Sequence, residues 1–508
     1  MRPTRSRKAF RRSGWPDCRL LLLGLATFCH AAPYQAALAQ GAALQRGQGS
    51  PAISSALAPA VAPSVASPAL AARALEIYRE LIEIDTVTAT GDTARAADAM
   101  AVRLIAAGLP PADVQVFKPA PRKGNLVARL RGTGERKPML LVAHIDVVDA
   151  PKADWATDPF RLTERDGFFY ARGAGDDKFM AAAFVANLIR YREEGWRPAR
   201  DIILVLETDE EILDGNALGI QWLLRNQRAL LDAEFALNEG GSVSLRGDRA
   251  IWNSIQTSEK VSVNFRLAVK NAGGHSAVPA RENAIYRLSA ALSRLATFEF
   301  PLELTATTRA WLGRMATLET GQVAQDMQAV LAPVPDPAAV ARLSVSPALN
   351  AQLRTTCVAT LLEAGQVINA LPQLAQASLN CRLIPGTPVS AVRDRLAAVL
   401  ADAAVEITQI GTATPSDPSP LEPALISAIE AVSAQFWPGA PVLPVMSAGA
   451  TDGSFLRNAG IPTYGHSGLA AEPGEGRAHG RDERIRVRSF HEGLEYLYRL
   501  VKRLAGPA

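Results

Sequence analysis

The sequence predicts an α/β fold in which a mostly parallel-sheet domain is interrupted by a smaller α+β domain. Apolar runs typical of strands alternate with helical patterns from residue 72 to about residue 255. That order favours βαβ units and a parallel sheet covered by helices. From residue 256 the pattern changes to half-exposed strands of period two, and helical patterns return after the proline-rich segment 415–423. We therefore expect a first domain at 71–255, an insert at 256–410, and the rest of the first domain at 411–508.

The elements of the first domain follow from the period of their apolar residues. A period near 3.6 indicates a helix, and a short apolar run bounded by turn residues indicates a buried strand. Strands are predicted at 124–132, 138–146, 201–211 and 233–241. Helices are predicted at 72–84, 94–109, 178–194, 219–231, 423–436 and 490–504.

The insert has a different order of elements. The patterns predict a strand, a helix, two strands, a helix and a strand at 260–270, 282–296, 355–364, 375–385, 389–403 and 405–410. This is a ferredoxin-like order and predicts a small antiparallel sheet with two helices. The stretch from about 300 to 350 does not fit so compact a unit, and we expect it to reshape the neighbouring pocket.

The N-terminus predicts export. A basic start is followed by the apolar run LLLLGLATFC and by Ala37-Leu38-Ala39, the features of a secretory signal peptide at 1–39. Residues 40–70, rich in Ala, Pro, Ser and Gly, predict a linker. We therefore expect a periplasmic or secreted protein with no stable membrane span after cleavage.

The composition is typical of an ordinary globular protein. The chain has 508 residues, 48% of them apolar and 20% charged, and a net charge of +4. The predicted signal peptide carries seven Lys or Arg and one Asp, so its removal leaves a net charge of −2. Such a balance argues against binding to nucleic acid.

Cys357 and Cys381 are the two cysteines that follow the predicted signal peptide. The turn residues between them would place them across a β-hairpin, and an exported chain can keep a disulfide. A disulfide and two buried thiols both remain open.

Ionisable residues follow several of the predicted strands. His144 and Asp146 end one strand, Glu210 and Glu211 another, and Glu239 a third, while Asp176 and Asp177 lie in a glycine-bearing loop. Ligands of open α/β sheets bind at the carboxyl ends of the strands. Acids gathered there would repel one another without cations. A His/carboxylate set suits zinc, with cobalt or manganese as alternatives.

The motifs AHID, GAGDDK, TDEE, NEGG, GGHS and AHGRDE resemble those of the co-catalytic dinuclear zinc metallopeptidases. This family includes glutamate carboxypeptidase, carboxypeptidase S, aminoacylase and acetylornithine deacetylase types. The resemblance runs from about residue 72 to residue 505 and implies that the insert is a lid and dimerisation domain. It implies two zinc ions with these ligands: His144, Asp176, Glu211, Glu239 and His479. Asp176 would bridge the ions, Asp146 would orient His144, and Glu210 would be the general base.

The resemblance also implies three roles in the insert. His275, in GGHS, would stabilise the oxyanion, which in this family often happens across the interface of a homodimer. Asn369 and Arg382 would bind the substrate carboxylate, for which the planar fork of arginine is well suited. His466 competes with His479 as the last ligand, but His479 has the glutamate that usually follows in this family. Phe179 departs from the family pattern, in which glycine commonly follows the lysine of DDK.

The leading hypothesis is an exported zinc carboxypeptidase or dipeptidase that cleaves an amide next to a free C-terminal carboxylate. An N-acyl-amino-acid hydrolase with the same machinery is the alternative. A binding protein that had lost activity is disfavoured because Glu210 and the five ligands are all present. A two-metal phosphoesterase is disfavoured by the order of the six motifs.

Overall fold

The computed structural model describes residues 66–212 and 217–506. The predicted signal peptide and most of the predicted linker lie outside this range. The strands are β1 (Val114–Ala120), β2 (Lys123–Leu130), β3 (Met139–His144), β4 (Thr163–Arg165), β5 (Phe168–Tyr170), β6 (Ile202–Glu207), β7 (Phe235–Arg246), β8 (Arg249–Glu259), β9 (Val261–Lys270), β10 (Gly274–His275), β11 (Thr356–Ala364), β12 (Ala370–Leu371), β13 (Leu374–Leu383), β14 (Glu406–Ile410), β15 (Val442–Ser447), β16 (Thr463–Ala471) and β17 (Arg484–Arg486).

The helices of the described residues are α1 (Pro68–Glu83), α2 (Thr93–Ala106), α3 (Lys178–Glu193), α4 (Ile220–Asn226), α5 (Ala284–Ala296), α6 (Ala306–Leu318), α7 (Gly321–Leu331), α8 (Pro337–Ser344), α9 (Pro347–Leu353), α10 (Val389–Leu400), α11 (Pro423–Phe436), α12 (Gly453–Asn458) and α13 (Val487–Ala505). Helix α1 begins at Pro68, inside the range predicted as linker, because proline is favoured in the first helical turn and the Ser67 side chain accepts from the Leu70 amide. None of these helices is long and apolar enough to cross a membrane.

An eight-stranded sheet organises the first domain, in the order β1-β2-β6-β3-β7-β16-β8-β15. The pairs β6–β3, β3–β7, β7–β16 and β8–β15 are parallel. Strands β3 and β6 are buried along their whole length, as expected for parallel strands covered on both faces. Apolar residues of α1, α2, α3, α11 and α13 cover one face, and residues of α4 and α12 cover the other. The predicted α/β class with a mostly parallel sheet is confirmed.

The insert forms a second sheet, in the order β11-β13-β9-β14. Helices α5 and α10 share one apolar core with it, so the other face of the sheet is left for polar residues. The elements follow one another in the predicted order. The boundary predicted at 255/256 lies within β8, which continues to Glu259; Lys260 is the residue between the two sheets. We call the sheet with α5 and α10 the lid.

The stretch near 300–350 is helical and belongs to neither lid face. Helices α6 to α9 form their own apolar cluster, which includes Leu443 of β15 and packs against Trp252 of β8. These helices therefore pack against the edge of the large sheet.

Cys357 and Cys381 are paired directly across β11 and β13, and they form a disulfide. The hairpin predicted from the sequence is confirmed. Of the two alternatives for these cysteines, the structure contains the disulfide.

Candidate dinuclear metal centre

The candidate site residues lie at one edge of the eight-stranded sheet. His144 is the last residue of β3, and Asp176 lies in the loop before α3. Glu210 and Glu211 were predicted to end a strand but lie three and four residues beyond β6. Glu239 was also predicted at a strand end. It lies within β7, because β7 leaves β3 after Leu237 and continues in pairings with β16 and β8.

The Asp176 carboxylate lies between two histidines. Its Oδ1 is 3.0 Å from His144 Nε2 and its Oδ2 is 3.1 Å from His479 Nε2. Glu239 Oε2 is 4.0 Å from His144 Nε2, and Glu211 Oε1 is 3.1 Å from His479 Nε2. One potential donor atom from each of His144, Asp176 and Glu239 lies within 4.8 Å of the others, and the same holds for Asp176, Glu211 and His479. Two of the candidate cation positions would therefore share Asp176. A third group at the same spacing consists of His144, Glu210 and Glu211.

The donor chemistry fits a metal. His144 Nδ1 lies 3.0 Å from the backbone carbonyl of Asp146 and can only donate to it. In the neutral imidazole Nε2 then carries a lone pair, and that lone pair faces a carboxylate oxygen. Two acceptors at hydrogen-bond distance require a proton or a cation between them. Neutral imidazole with carboxylates is a donor set that binds zinc.

Burial makes the carboxylates hard to ionise together. It raises the pKa of Glu239 to about 8, an effect opposed by His144 and reinforced by the charges of Asp176 and Glu211. Burial, followed by the charge of Glu239, also raises the pKa of Glu210 well above its usual range. Positive charge is needed to keep such a group of acids ionised. Lys178 does not supply it at hydrogen-bond distance, because its ammonium donates to the carbonyls of Leu81 and Ile84.

Asp146 was expected to orient His144 through its carboxylate, and the structure shows a different contact. Its backbone carbonyl, rather than its carboxylate, makes the close contact with His144, since Oδ1 is 3.6 Å from Nδ1. The carboxylate accepts hydrogen bonds from the amides of Glu210 and Glu211, at 3.2 and 3.3 Å. Thr88 Oγ1 donates a third, at 3.1 Å. Asp146 therefore links His144 to the loop that carries Glu210 and Glu211.

Sequence interpretation missed the residues that hold the Asp176 loop. Glu483 accepts from the amides of Gly173, Gly175 and Asp176 and pairs with Arg172 at 2.7 Å. Arg172 and Glu483 are both buried. In the sequence, Glu483 is only the glutamate that follows His479. The arginine directly before GAGDD was the available signal for its partner.

The three predicted lid residues do not bond to this cluster within the described chain. His275 and Asn369 lie together and are exposed: β10 pairs with β12, and the Ser276 amide donates to the Asn369 carbonyl. His275 Nδ1 accepts from the Ala277 amide at 3.0 Å. Arg382 lies on β13, where its Nε donates to Asn380 Oδ1 at 3.2 Å.

Two other residues singled out in the sequence are parts of the core. His466 is fully buried, its Nδ1 lies 2.8 Å from the Ser254 carbonyl, and burial lowers its pKa to about 4. Phe179 is also fully buried and packs edge-on against Phe490, with ring centroids 5.7 Å apart. The departure at Phe179 therefore changes core packing beside the Asp176 loop.

A pocket of about 270 Å³ opens beside Asp176 and Glu239. Much of its wall consists of small residues, among them Gly240, Ser242, Ala470, Ala471, Gly476 and Ala478. The two arginines of the wall are already engaged. Arg486 pairs with Glu475 at 2.8 Å, and Arg484 donates to the Tyr170 hydroxyl at 2.8 Å. The charge of Arg486 is therefore balanced by an acid, whereas the described partners of Arg484 are an uncharged hydroxyl and the Glu475 carbonyl.

Comparison with known proteins also points to a metal-dependent hydrolase. Residues 140–503 match the model of peptidase family M20/M25/M40. The human N-fatty-acyl-amino acid synthase/hydrolase PM20D1 is 31% identical over 390 residues, which cover 72% of this chain and 74% of the relative. A probable carboxypeptidase S-like protein 2 of Dictyostelium discoideum is 28% identical over 396 residues, 74% of each chain.

The fold is shared with solved structures. A metallo-carboxypeptidase of the M20 family from Sulfolobus solfataricus superposes with a TM-score of 0.65. It is 19% identical in sequence, and the match covers 84% of this chain and 98% of that one. The protein is therefore a metallohydrolase that belongs to peptidase family M20/M25/M40.

Proposed function

We propose that the protein is an exported dinuclear zinc hydrolase that cleaves an amide bond next to a free C-terminal carboxylate, as a carboxypeptidase or dipeptidase. The observation that carries the proposal is the Asp176 carboxylate between His144 and His479, with Glu239 and Glu211 completing the two donor sets. Cobalt or manganese would suit the same donors. Export rests on the predicted signal peptide at 1–39, whose removal would leave a periplasmic or secreted enzyme.

Each residue of the site has a separate role in the proposed reaction. Bound divalent metal would polarise the scissile carbonyl and lower the pKa of the attacking water. Glu210 Oε would take a proton from that water and return it to the leaving amine nitrogen. Asp146 supports this step because it holds the amides of Glu210 and Glu211. Arg382 and Asn369 would hold the substrate carboxylate, and His275 would donate to the developing oxyanion.

A second candidate, an N-acyl-amino-acid hydrolase, is favoured by the pocket beside Asp176 and Glu239. Its volume is close to the lower end of the range usual for small-molecule sites. The small residues of its wall and the pairing of Arg486 with Glu475 suit an uncharged group, such as an acyl chain or an apolar side chain. The likeness to PM20D1, which is named as an N-fatty-acyl-amino acid synthase/hydrolase, points in the same direction.

A matched substrate panel tests the proposal and separates the two candidates. Zinc-reconstituted protein is offered dipeptides, N-blocked dipeptides and N-acyl amino acids of increasing acyl length, each as the free acid and as the C-terminal amide. We expect each acid to be cleaved with a higher kcat/KM than its amide. The difference should correspond to about 2–4 kcal/mol of transition-state stabilisation, the value of a charged hydrogen-bonded pair. Faster cleavage with longer acyl groups would support the N-acyl reading. Equal rates for acids and amides would contradict the carboxylate requirement.

The lid supports a homodimer in which His275 serves the partner's site. Strand β11 is an edge of the lid sheet and exposes Val358, Leu361 and Leu362, each about 60% accessible. Ile368, next to Asn369, is fully exposed. An apolar edge strand pairs readily with a second copy, and His275 lies in the same part of the lid.

Mixing two inactive variants tests this arrangement. His275→Ala should lower kcat by about 10²- to 10³-fold with a smaller change in KM, because an oxyanion donor acts in the transition state. If the lid acts in trans, subunit exchange with Glu210→Gln should restore activity, since one site of the mixed dimer keeps both residues. Mixed dimers verified by two affinity tags, with no activity recovered, would rule out the trans arrangement.

A further inference from the structure

Two cations lie at the end of the lid sheet where the chain enters it, and neither has an anionic partner among the described residues. Lys260 connects β8 to β9, and Arg382 is the next-to-last residue of β13. They are neighbours through Thr356. Thr356 is the register partner of Arg382 on β11, and its Oγ1 accepts from Lys260 Nζ at 3.4 Å.

The ammonium of Lys260 is buried among neutral acceptors. Lys260 is 1% exposed, and Nζ also donates to the Arg354 carbonyl at 2.7 Å. The adjacent acid, Glu259, pairs instead with Arg457 at 2.8 Å. A buried charge is costly unless it is paired. Burial, followed by the charge of Arg382, lowers the pKa of Lys260 to about 8.

The guanidinium of Arg382 is positioned but has donors to spare. Nε donates to Asn380, whose own side-chain amide donates to Asn264 Oδ1 at 2.8 Å. Nη1 is buried and has no hydrogen-bond partner among the described residues. A buried donor without an acceptor is unusual, and a bound carboxylate would satisfy it.

We propose that Lys260 is a second cation of the substrate-carboxylate site, where the carboxylate binds Arg382 and the buried charge of Lys260 stabilises it. This inference rests on the proposed function, which assigns Arg382 to the same carboxylate. It adds a residue that none of the six motifs contains. The bound carboxylate would offset two positive charges that now oppose each other.

Matched acid and amide substrates test the role of Lys260. Lys260→Gln keeps a donor for the Arg354 carbonyl but removes the charge, and Lys260→Arg keeps the charge. We expect Lys260→Gln to lower the acid-to-amide ratio of kcat/KM by about tenfold or more, mainly through KM, while Lys260→Arg retains more of the ratio. Arg382→Ala should keep part of the preference, and the double variant Arg382→Ala/Lys260→Gln should lose it.

The outcomes separate this proposal from the proposed function. A residue that only ties the two sheets together would lower acid and amide rates equally, and that result would overturn the role of Lys260. Complete loss of the preference for the acid in Arg382→Ala alone would also overturn the role of Lys260. This second test does not depend on Lys260→Gln, so it still applies if that variant does not fold, as judged by the absence of cooperative thermal unfolding. A wild-type enzyme without any preference for the acid would instead reject the carboxylate site itself.

Discussion

Glu210→Gln is expected to keep both metals and to lower kcat by about 10²- to 10⁴-fold, the usual contribution of a general acid–base group. Glutamine has nearly the same shape but cannot accept and return a proton. The Glu210 amide, which donates to Asp146 Oδ1, is unchanged, so the loop should keep its position. Metal content by mass spectrometry and steady-state kinetics measure the two expectations separately.

Glu211→Gln is the matched control. The two residues are adjacent and donate through their amides to the same Asp146 carboxylate, but only the Glu211 side chain lies at hydrogen-bond distance from His479, among the described contacts. The control should lose metal at the His479 position. If Glu210→Gln retained wild-type turnover, or lost metal as the control does, Glu210 would not be the base.

Asp176→Asn should bring the metal content below two ions per chain and reduce hydrolysis to the background rate. Asp176 is the residue whose two carboxylate oxygens contact both His144 and His479, so its charge serves both positions. The apparent thermal stability should also depend less on added zinc, because a ligand stabilises only the state that binds it. Metal titration followed by thermal unfolding measures both effects.

Glu239→Gln provides the comparison, since Glu239 belongs only to the His144 donor set. It should weaken one metal position and leave the other. If Asp176→Asn still bound two ions per chain with wild-type affinity, Asp176 would not bridge them.

The sequence by itself predicted the fold class and identified the residues of the candidate metal centre. Buried apolar strands such as β3 and β6 leave a local signal, because a strand covered on both faces must be apolar along its length. Ionisable residues directly after such strands are conspicuous for the same reason. His144, Asp176, Glu211, Glu239 and His479 were all selected in this way or through the motifs, and the structure brings their donor atoms together. The hairpin that joins Cys357 to Cys381 was also visible in the pattern.

Only the tertiary structure decided which atoms meet. The continuation of β7 past Glu239 depends on β16 and β8, which follow later in the chain. Asp146 uses its carbonyl for His144 and its carboxylate for the Glu210 loop, a division that spacing along one strand does not encode. Glu483 reaches the Asp176 loop from about three hundred residues away, and Lys260 meets Arg382 through Thr356. Periodicity reports whether a side chain is buried within its own element. The identity of its partner is set by the packing of distant segments, which is why these contacts appear only in the folded chain.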